Sequence, residues 1–291
     1  MKVSESLLKY LAGLCDADGC LSFSFTPDHR RPNMYALGLQ LTISSSDAVD
    51  KQCFMETLPS LTNMGKIFRS GKSRQFISWQ VRHRSDLEKL LPRLTKHMVL
   101  KARHWHEMLE RWRAQRQKPI GDRAITLEER DSLRELVKGS RRALVGPLKP
   151  KNHPTWAWLA GYLDGDGCYH FTRIHPKKND HLGSYHIRVS SVAHVNDIYV
   201  LQFLQNAFGG RICDHSQSLN VKIWYRNLGV SDKSFALRFL PKLVKHSRLK
   251  RHKIEQMIHY LASHVSTIGP NAMHRHQQRL SVSAPKGEAI V

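Results

Sequence analysis

The sequence predicts an α+β protein with two pseudo-symmetric αββαββα repeats, each with an antiparallel sheet, which join at two related helices. Three observations support this fold class. The chain reads LAGLCDADG at residues 11–19 and LAGYLDGDG at residues 159–167. Short segments of each half alternate apolar and polar residues, which is typical of strands with one wet face. Longer segments with helical spacing separate these strands. Each half is therefore expected to be a sheet covered on one face by helices.

The elements follow the same order in both halves. The motif helices are expected at 4–17 and 154–165, where Pro154 suits a helix start. The strands are expected at 20–26, 34–43, 65–70 and 75–82, and then at 168–175, 185–192, 210–215 and 219–226. A helix is expected after the second strand of each half, at 46–58 and 195–208, and closing helices are expected near 85–112 and 232–263.

The repeat extends beyond the motif. LPRLTKHMVLKAR at 91–103 matches LPKLVKHSRLKRH at 240–252, and MGKIF at 64–68 matches GGRIC at 209–213. We therefore divide the chain into an N-terminal repeat (1–112), a basic linker (113–153), a C-terminal repeat (154–264) and a tail (265–291). Within the linker we expect a helix that is capped by Thr126 and ended by Gly139. The tail lacks apolar periodicity and is expected to be mobile.

The charge of the chain points to a polyanionic partner. The sequence has 46 Lys and Arg against 24 Asp and Glu, which gives a net charge of +22 at pH 7. Its five cysteines are odd in number and lack C-x-x-C spacing, so a secreted disulfide scaffold is excluded. No apolar run is long enough to cross a membrane. We expect an intracellular protein, in a bacterial or archaeal cytoplasm or in a eukaryotic organelle.

Strand alternation assigns polar side chains to one face of each sheet. An ordinary solvated face is the alternative, but the excess of positive charge favours a surface for nucleic acid, because such side chains on a β-ribbon can read bases in the major groove. For the fourth strand of each half the phase is ambiguous; in the first half, Ile77, Trp79 and Val81 compete with Phe76 for the core. The predicted DNA-contacting residues are Ser22, Ser24, Thr26, Gln40, Thr42, Lys66, Ser70, Lys72, Arg74, His170, Thr172, Arg188, Ser190, Arg211, His215 and Lys222.

The two motifs bring acidic residues together. Small residues at 12–13 and 160–161 allow the motif helices to approach each other closely. Asp18 and Asp166 would then lie side by side at the helix C-termini, where we expect Gly19 and Gly167 to supply left-handed turns.

Two carboxylates in this place repel each other and face the negative ends of two helix dipoles. A bound divalent cation resolves both conflicts, and oxygen ligands favour Mg²⁺, with Mn²⁺ able to substitute. The earlier acids, Asp16 and Asp164, lie on another side of each helix. We expect them to be local hydrogen-bonding or capping groups.

These motifs resemble those of the LAGLIDADG homing endonucleases in their single-chain, two-motif form, over about residues 4–264. The resemblance implies a monomeric, site-specific endonuclease acting on double-stranded DNA, with a saddle of two sheets over the duplex. It implies metal-dependent hydrolysis of both strands of a long, asymmetric target, with short 3′ overhangs, in the service of intron or intein homing.

The resemblance also implies residue roles. Asp18 and Asp166 match the metal-binding catalytic acids of the family, and we place Gly19 and Gly167 at the same metal site. Lys101 and Lys250, in VLKAR and RLKRH, match its basic catalytic residues, which would position the nucleophilic water or stabilise charge at the phosphate. A solvated helix lysine is the alternative for each.

Two other functions fit the same sequence. One is an RNA-binding maturase that assists splicing of its host intron, with intron RNA as partner. The other is a DNA-binding regulator that has lost catalysis. The two intact acids favour cleavage, because a pure binding protein has no need to keep two carboxylates that repel each other. We expect no membrane and no obligate protein partner.

Overall fold

The structure is a computed structural model. It describes residues 3–46, 49–70, 76–140, 154–173, 185–194, 198–215, 218–227 and 233–263. The predicted DNA contacts Lys72 and Arg74 and the predicted tail at 265–291 lie outside the described residues, as does the end of the linker. Those expectations remain predictions.

The N-terminal repeat has the predicted order of elements. Its helices and strands are α1 (Glu5–Ala17), β1 (Gly19–Pro27), β2 (Met34–Ser46), α2 (Val49–Thr62), β3 (Lys66–Ser70), β4 (Phe76–Val81), α3 (Arg84–Thr95) and α4 (Ala102–Gln117). Helix α4 thus continues past residue 112, where we placed the end of the repeat.

The C-terminal repeat has the same order of elements. It follows a connecting segment whose strand pairs with the first sheet. That segment consists of a 3₁₀ turn (Ile120–Asp122), β5 (Ala124–Thr126) and α5 (Leu127–Ser140). The second repeat consists of α6 (Trp156–Gly165), β6 (Gly167–Arg173), β7 (Tyr185–His194), α7 (Ile198–Phe208), β8 (Arg211–His215), β9 (Ser218–Asn227), α8 (Lys233–Val244) and α9 (Arg251–Ser263).

Both sheets are antiparallel and have the same strand order. The first runs β1-β2-β4-β3, with β5 added beside β2, and the second runs β6-β7-β9-β8. The structure settles the phase of β4, because Ile77, Trp79 and Val81 are all buried. Each sheet therefore has one face covered by helices and one open face, and the predicted fold class is confirmed. Within the described part of the chain, no helix is long and apolar enough to span a bilayer.

The linker contributes more structure than the sequence suggested. Strand β5 pairs with the start of β2, and Ile125 is buried. The predicted cap of α5 is confirmed, since the Thr126 hydroxyl accepts a hydrogen bond from the Glu129 amide at 3.2 Å. Gly139 does not end this helix, which runs on to Ser140. Helix α5 packs Leu133 and its neighbours against the helix-covered side of the first sheet, so the open face stays uncovered.

Candidate active site at the ends of the two motif helices

The motif helices α1 and α6 pack against each other at the centre of the molecule, and glycine makes this possible. A Cβ atom added at Gly13 would collide with the Trp158 carbonyl oxygen of α6. A Cβ added at Gly161 would collide in the same way with the Tyr10 carbonyl oxygen of α1. The two backbones are therefore in direct contact, as the small residues of the motif predict.

Asp18 and Asp166 are the C-cap residues of the two helices. Both keep a right-handed helical backbone, with φ −97° and ψ −6° at Asp18 and φ −81° and ψ −7° at Asp166. Both side chains are exposed to solvent. A Cβ added at Gly165, in the last turn of α6, would lie 3.0 Å from Asp18 Oδ2. The Asp18 carboxylate of one repeat therefore lies against the helix end that carries Asp166 of the other.

The glycines after the acids do not make left-handed turns, so that expectation is wrong. In the described chain, the glycines with positive φ are Gly65, Gly209 and Gly210. Gly19 instead begins β1, and a Cβ there would lie 2.5 Å from the Cα of Cys15. A Cβ at Gly167 would lie 2.6 Å from the Cα of Leu163. Glycine is required at these positions because the strand begins directly against the last turn of the helix.

Two lysines donate hydrogen bonds to the carbonyl groups at the C-terminal ends of the motif helices. Lys101 Nζ donates to the carbonyl oxygens of Cys15 (3.1 Å), Ala17 (2.9 Å) and Gly19 (3.1 Å). The ammonium group therefore lies at the negative end of the α1 dipole, next to the residues that flank Asp18.

Lys250 repeats this arrangement at α6. Its Nζ donates to the carbonyl oxygens of Leu163 (2.9 Å), Gly165 (3.2 Å) and Gly167. The structure thus brings both predicted lysines to the acids. Each of the glycine carbonyls that we placed at the metal site accepts a hydrogen bond from its lysine, and their contact with a metal remains a prediction.

The electrostatics of the acids favour a cation. The pKa of Asp166 is raised above its ordinary value, first because the surrounding protein removes water and second because Asp18 is negatively charged. Lys101 and Lys250 lower the same pKa and offset part of the rise. A divalent cation shared by the two carboxylates would relieve both unfavourable effects.

The earlier acids of the motifs have a structural role, as expected. The buried carboxylate of Asp16 accepts hydrogen bonds from the backbone amides of Val99 (2.7 Å), Leu100 (3.2 Å) and Lys101 (2.8 Å). Burial raises the pKa of Asp16, and these bonds act against the rise. Because the amide of Lys101 is one of them, Asp16 fixes the backbone that carries the catalytic candidate.

Asp164 does the same in the second repeat. Its carboxylate accepts hydrogen bonds from the amides of Arg248 (2.8 Å) and Leu249 (2.9 Å) and from the Ser247 hydroxyl (2.7 Å). These residues lead directly to Lys250, so the two halves position their lysines by the same device.

Each of these buried acids also receives a hydrogen bond from the opposite repeat. The Tyr10 hydroxyl donates to Asp164 at 2.8 Å, and the Trp158 indole nitrogen donates to Asp16 at 2.8 Å. Tyr10 and Trp158 stand at the same place in their helices, six residues before Asp16 and Asp164. The helix interface therefore carries a pair of crossed polar contacts that fixes each lysine-bearing segment relative to the other half.

The open face of the first sheet carries the predicted polar residues. Strand register places Ser22 opposite Gln40 and Ser24 opposite Gly38. The Gln40 side chain donates to the Thr42 hydroxyl at 2.8 Å. The structure leaves the remaining predicted residues of this face exposed, namely Ser24, Thr26, Lys66 and Ser70.

The second sheet matches the prediction less closely. Arg188 Nη2 lies 3.4 Å from His170 Nε2, and Arg211 is exposed. Ser190 is buried, with 1% exposure, so its hydroxyl is not on the accessible surface. For Thr172 and His215 the structure describes the strand position but not the side chain.

The prediction that Lys222 lies on the open face is wrong. It shares a strand face with the buried Trp224, two residues away, and pairs with Asp214. It therefore lies on the helix-covered side of the sheet. The alternation of β9 could have shown this, because Lys222 occupies the position that Ile77 has in the first repeat.

Three further residues of β4 lie on the open face of the first sheet, and the ambiguous strand pattern did not identify them. Once Ile77, Trp79 and Val81 are assigned to the core, Phe76, Ser78 and Gln80 must point to the open side. The exposed Cys20 and Cys168, each two residues after its motif acid, lie at the start of that face in β1 and β6.

Comparisons with known proteins agree with this architecture. Residues 11–107 match the family model described as LAGLIDADG endonuclease. A comparison with curated proteins gave no match.

Solved structures of homing endonucleases have the same fold as the whole chain. Meganuclease I-SmaMI bound to uncleaveable DNA matches with a TM-score of 0.66 and 17% identity, over 99% of this chain and 99% of that chain. I-SmaMI bound to cleaved DNA matches with a TM-score of 0.62 and 13% identity, over 95% of this chain and 96% of that one. Meganuclease I-AabMI bound to uncleaved DNA matches with a TM-score of 0.56 and 17% identity, over 88% of this chain and 98% of that chain.

Proposed function

We propose that the chain is a LAGLIDADG endonuclease that cuts double-stranded DNA at specific sites, on the match of residues 11–107 to that family model and the shared fold of both repeats. The relatives support this substrate, since I-SmaMI and I-AabMI were solved with DNA. The observation that carries the proposal is the pair of exposed acids, Asp18 and Asp166, at the adjoining ends of the two motif helices.

The donor set at the helix ends fits a divalent cation. Two carboxylates from different repeats lie at adjoining helix ends, and the pKa of Asp166 is raised, first because the protein removes water and second because Asp18 is negatively charged. We propose that Asp18 and Asp166 hold Mg²⁺, or Mn²⁺ in its place. I-SmaMI was solved bound to uncleaved DNA in the presence of calcium ions, which supports the use of a divalent ion. When bound, such an ion lowers the pKa of a coordinated water and screens the charge of the phosphate.

The protein's own side chains do the positioning. Lys101 and Lys250 keep their ammonium groups at the helix ends, held by three carbonyl oxygens each. From there they supply positive charge beside the acids, where charge develops at the phosphate during hydrolysis. Asp16 and Asp164 keep the lysine-bearing segments in place. We propose that one such arrangement per repeat serves one DNA strand each, so that both strands are cut.

The finer features of the reaction are part of the same proposal. A monomer is sufficient, because both acids and both lysines come from one chain. The target is long, since both open faces contact it, and asymmetric, because the two faces carry different side chains, such as Gln40 and Thr42 in one and Arg188 in the other. We propose that the cuts leave short 3′ overhangs and serve the homing of an intron or intein.

The decisive experiment replaces each acid by its amide. Asp18→Asn and Asp166→Asn remove the charges that hold the cation but keep the shape of the side chains. We expect each to reduce Mg²⁺-dependent double-strand cleavage of a selected target by at least about a hundredfold, the scale of loss seen when catalytic electrostatics are removed. DNA affinity, measured by fluorescence anisotropy in EDTA, should stay within a few-fold of the wild type.

Asp131→Asn is the matched control. Asp131 lies on α5, where it is exposed and pairs with Arg130 and Arg134. This variant should cleave at the wild-type rate. Full cleavage by either motif variant would refute the site, whereas binding of intron RNA without any DNA cleavage by the wild type would favour the maturase alternative.

A further inference from the structure

Two phenylalanine side chains lie on the open face of the first sheet, where the pattern otherwise places polar residues. Phe68 on β3 is 40% exposed and Phe76 on β4 is 52% exposed. Among the residues whose side chains the structure describes, no other phenylalanine is exposed to this extent. Exposed aromatic side chains that adjoin each other indicate a contact surface.

The strand register makes these rings neighbours. Phe68 lies opposite Ser78, and Phe76 lies opposite Ser70, so the two phenylalanines are diagonal neighbours on one face. Such diagonal pairs are roughly 7–8 Å apart, within reach of aromatic side chains. We call Phe68 and Phe76 the phenylalanine pair.

Two basic residues lie beside the phenylalanine pair. The guanidinium carbon of Arg82 lies 5.1 Å from the centre of the Phe68 ring. Lys66, two residues before Phe68 on the same strand face, is exposed. An apolar surface with cations beside it is complementary to a DNA groove, where base edges lie between two rows of phosphates. The pair also continues the open face that holds Thr42 and Gln80, which are opposite each other in the register.

We propose that Phe68 and Phe76 contact thymine methyl groups in the major groove of the half-site that the N-terminal repeat binds. The C5 methyl group of thymine is the apolar feature that the major groove presents, and phenylalanine is suited to contact it. Arg82 and Lys66 contact the neighbouring phosphates. This proposal rests on the proposed function, because it requires duplex DNA on the open face.

The contact is confined to one half of the target. In the repeat alignment Phe68 corresponds to Cys213 and Phe76 corresponds to Val221. The register agrees, since Cys213 lies opposite Ile223 as Phe68 lies opposite Ser78. Neither replacement has an aromatic ring. The two half-sites therefore differ at the base pairs that the phenylalanine pair contacts, which gives the asymmetry of the target a physical cause.

The experiment begins with a target that the wild-type protein selects by cleavage from a library of random duplexes. Each thymine of this target is then replaced by deoxyuridine, which pairs in the same way but lacks the methyl group. We expect one or two replacements in a single half-site to weaken binding about fourfold each, the factor that the burial of one methyl-sized group provides. Fluorescence anisotropy at fixed salt concentration measures this preference for thymine.

Protein variants assign the preference to the phenylalanine pair. Phe68→Ala and Phe76→Ala should bind the thymine and deoxyuridine duplexes equally at the sensitive positions. Cys213→Ala and Val221→Ala, the equivalent changes in the other repeat, should keep the fourfold preference. Because both phenylalanines are exposed, their alanine variants should unfold at the wild-type temperature.

Three results would overturn the proposal. One is a target in which no thymine is sensitive to deoxyuridine, and another is a preference that survives in both phenylalanine variants. The third is a change in self-association of these variants, measured by sedimentation, with the preference intact, since the pair would then bind a second copy of the chain. If the wild type cleaves no duplex in the library, the proposed function fails as well, whereas cleavage without a thymine preference removes this proposal alone.

Discussion

Two kinds of acid stand two residues apart in each motif, and their surroundings give them different roles. Asp16 is buried and accepts hydrogen bonds from three consecutive amides and an indole, so it organises backbone. Asp18 is exposed at the end of the same helix and faces the second repeat. Aspartate thus stabilises the backbone at position 16, whereas at position 18 its carboxylate is exposed and could bind a metal ion.

The raised pKa of Asp166 predicts a pH-dependent stability. Ionising this carboxyl costs folding free energy, so its effect on stability is most favourable below the ordinary Asp pKa of about 3.9 and worsens as pH rises through the raised pKa. In EDTA at neutral pH we therefore expect Asp166→Asn to have a higher Tm than the wild type. The difference should vanish in acid, where the wild-type carboxyl is protonated.

Added Mg²⁺ supplies the control for this effect. It should raise the Tm of the wild type, because it binds the folded state, and should have less effect on Asp166→Asn, which lacks one of the two proposed ligands. If Asp166→Asn were less stable than the wild type in EDTA at neutral pH, ionisation of Asp166 would not be unfavourable in the folded protein.

The crossed hydrogen bonds predict a second residue-scale effect. Tyr10→Phe removes the hydroxyl that donates to the buried carboxylate of Asp164 at 2.8 Å. We expect it to lower the free energy of unfolding by about 1–3 kcal/mol, measured by urea denaturation, because a hydrogen bond to a buried charge is lost. Tyr35→Phe, on the partly buried start of β2, is the control and should change stability by less than about 0.5 kcal/mol. Equal effects in the two variants would argue against a role for the crossed contact.

At the scale of elements, the contact between α1 and α6 determines the distance between the acids. Each helix ends in an acid and packs its glycine on the backbone of the other helix. The strand after each motif helix begins in contact with the last turn of that helix. This contact restricts the path that the chain can take after the acid. A change at this interface must therefore affect stability and cleavage together.

Gly13→Ala and Gly161→Ala test this coupling. Each places a methyl group on a carbonyl oxygen of the opposing helix, and we expect a loss of at least about 1–3 kcal/mol in the free energy of unfolding together with a loss of cleavage. Gly121→Ala is the matched control, since a Cβ there meets no atom within 4 Å. The interpretation would be wrong if either interface variant kept the stability and the cleavage rate of the control.

At the scale of the whole molecule, a chain with a net charge of +22 carries two acids at the adjoining ends of its motif helices. In the proposed function, lysine and arginine supply affinity for phosphates without regard to sequence, while the open faces supply the side chains that read bases. The two acids lie where the motif helices of the two repeats meet, so each half-sized repeat contributes one acid and one lysine to the proposed active centre.

This charge predicts a steep salt dependence. If the complex neutralises about 6–10 phosphates, its affinity should fall by roughly 10³–10⁵ between about 50 and 200 mM salt. Binding to a selected target and to an unrelated duplex, measured in parallel by anisotropy, should show similar slopes but different affinities. A shallow slope for both duplexes would mean that the basic residues do not face DNA.

Much of the fold and of the candidate site could be predicted from the sequence, because the relevant signals are local or repeated. The doubled motif identified Asp18 and Asp166, and alternation located most of the open face. Alternation was misapplied at Lys222, which the repeat alignment would have placed beside the core. The turn at Gly19 could not be read correctly, because its glycine is required by contact with Cys15 and not by backbone conformation.

What the sequence by itself determined is the fold class, the repeat and the pair of motif acids, since strand period, helix period and repetition are properties of the chain. Only the tertiary structure decided which atoms meet across long separations. It placed Lys101 on the carbonyls that end α1 and joined Tyr10 to Asp164, which are 154 positions apart. Such contacts depend on how two helices pack, and that packing is determined by the shape of both surfaces together and not by any local pattern.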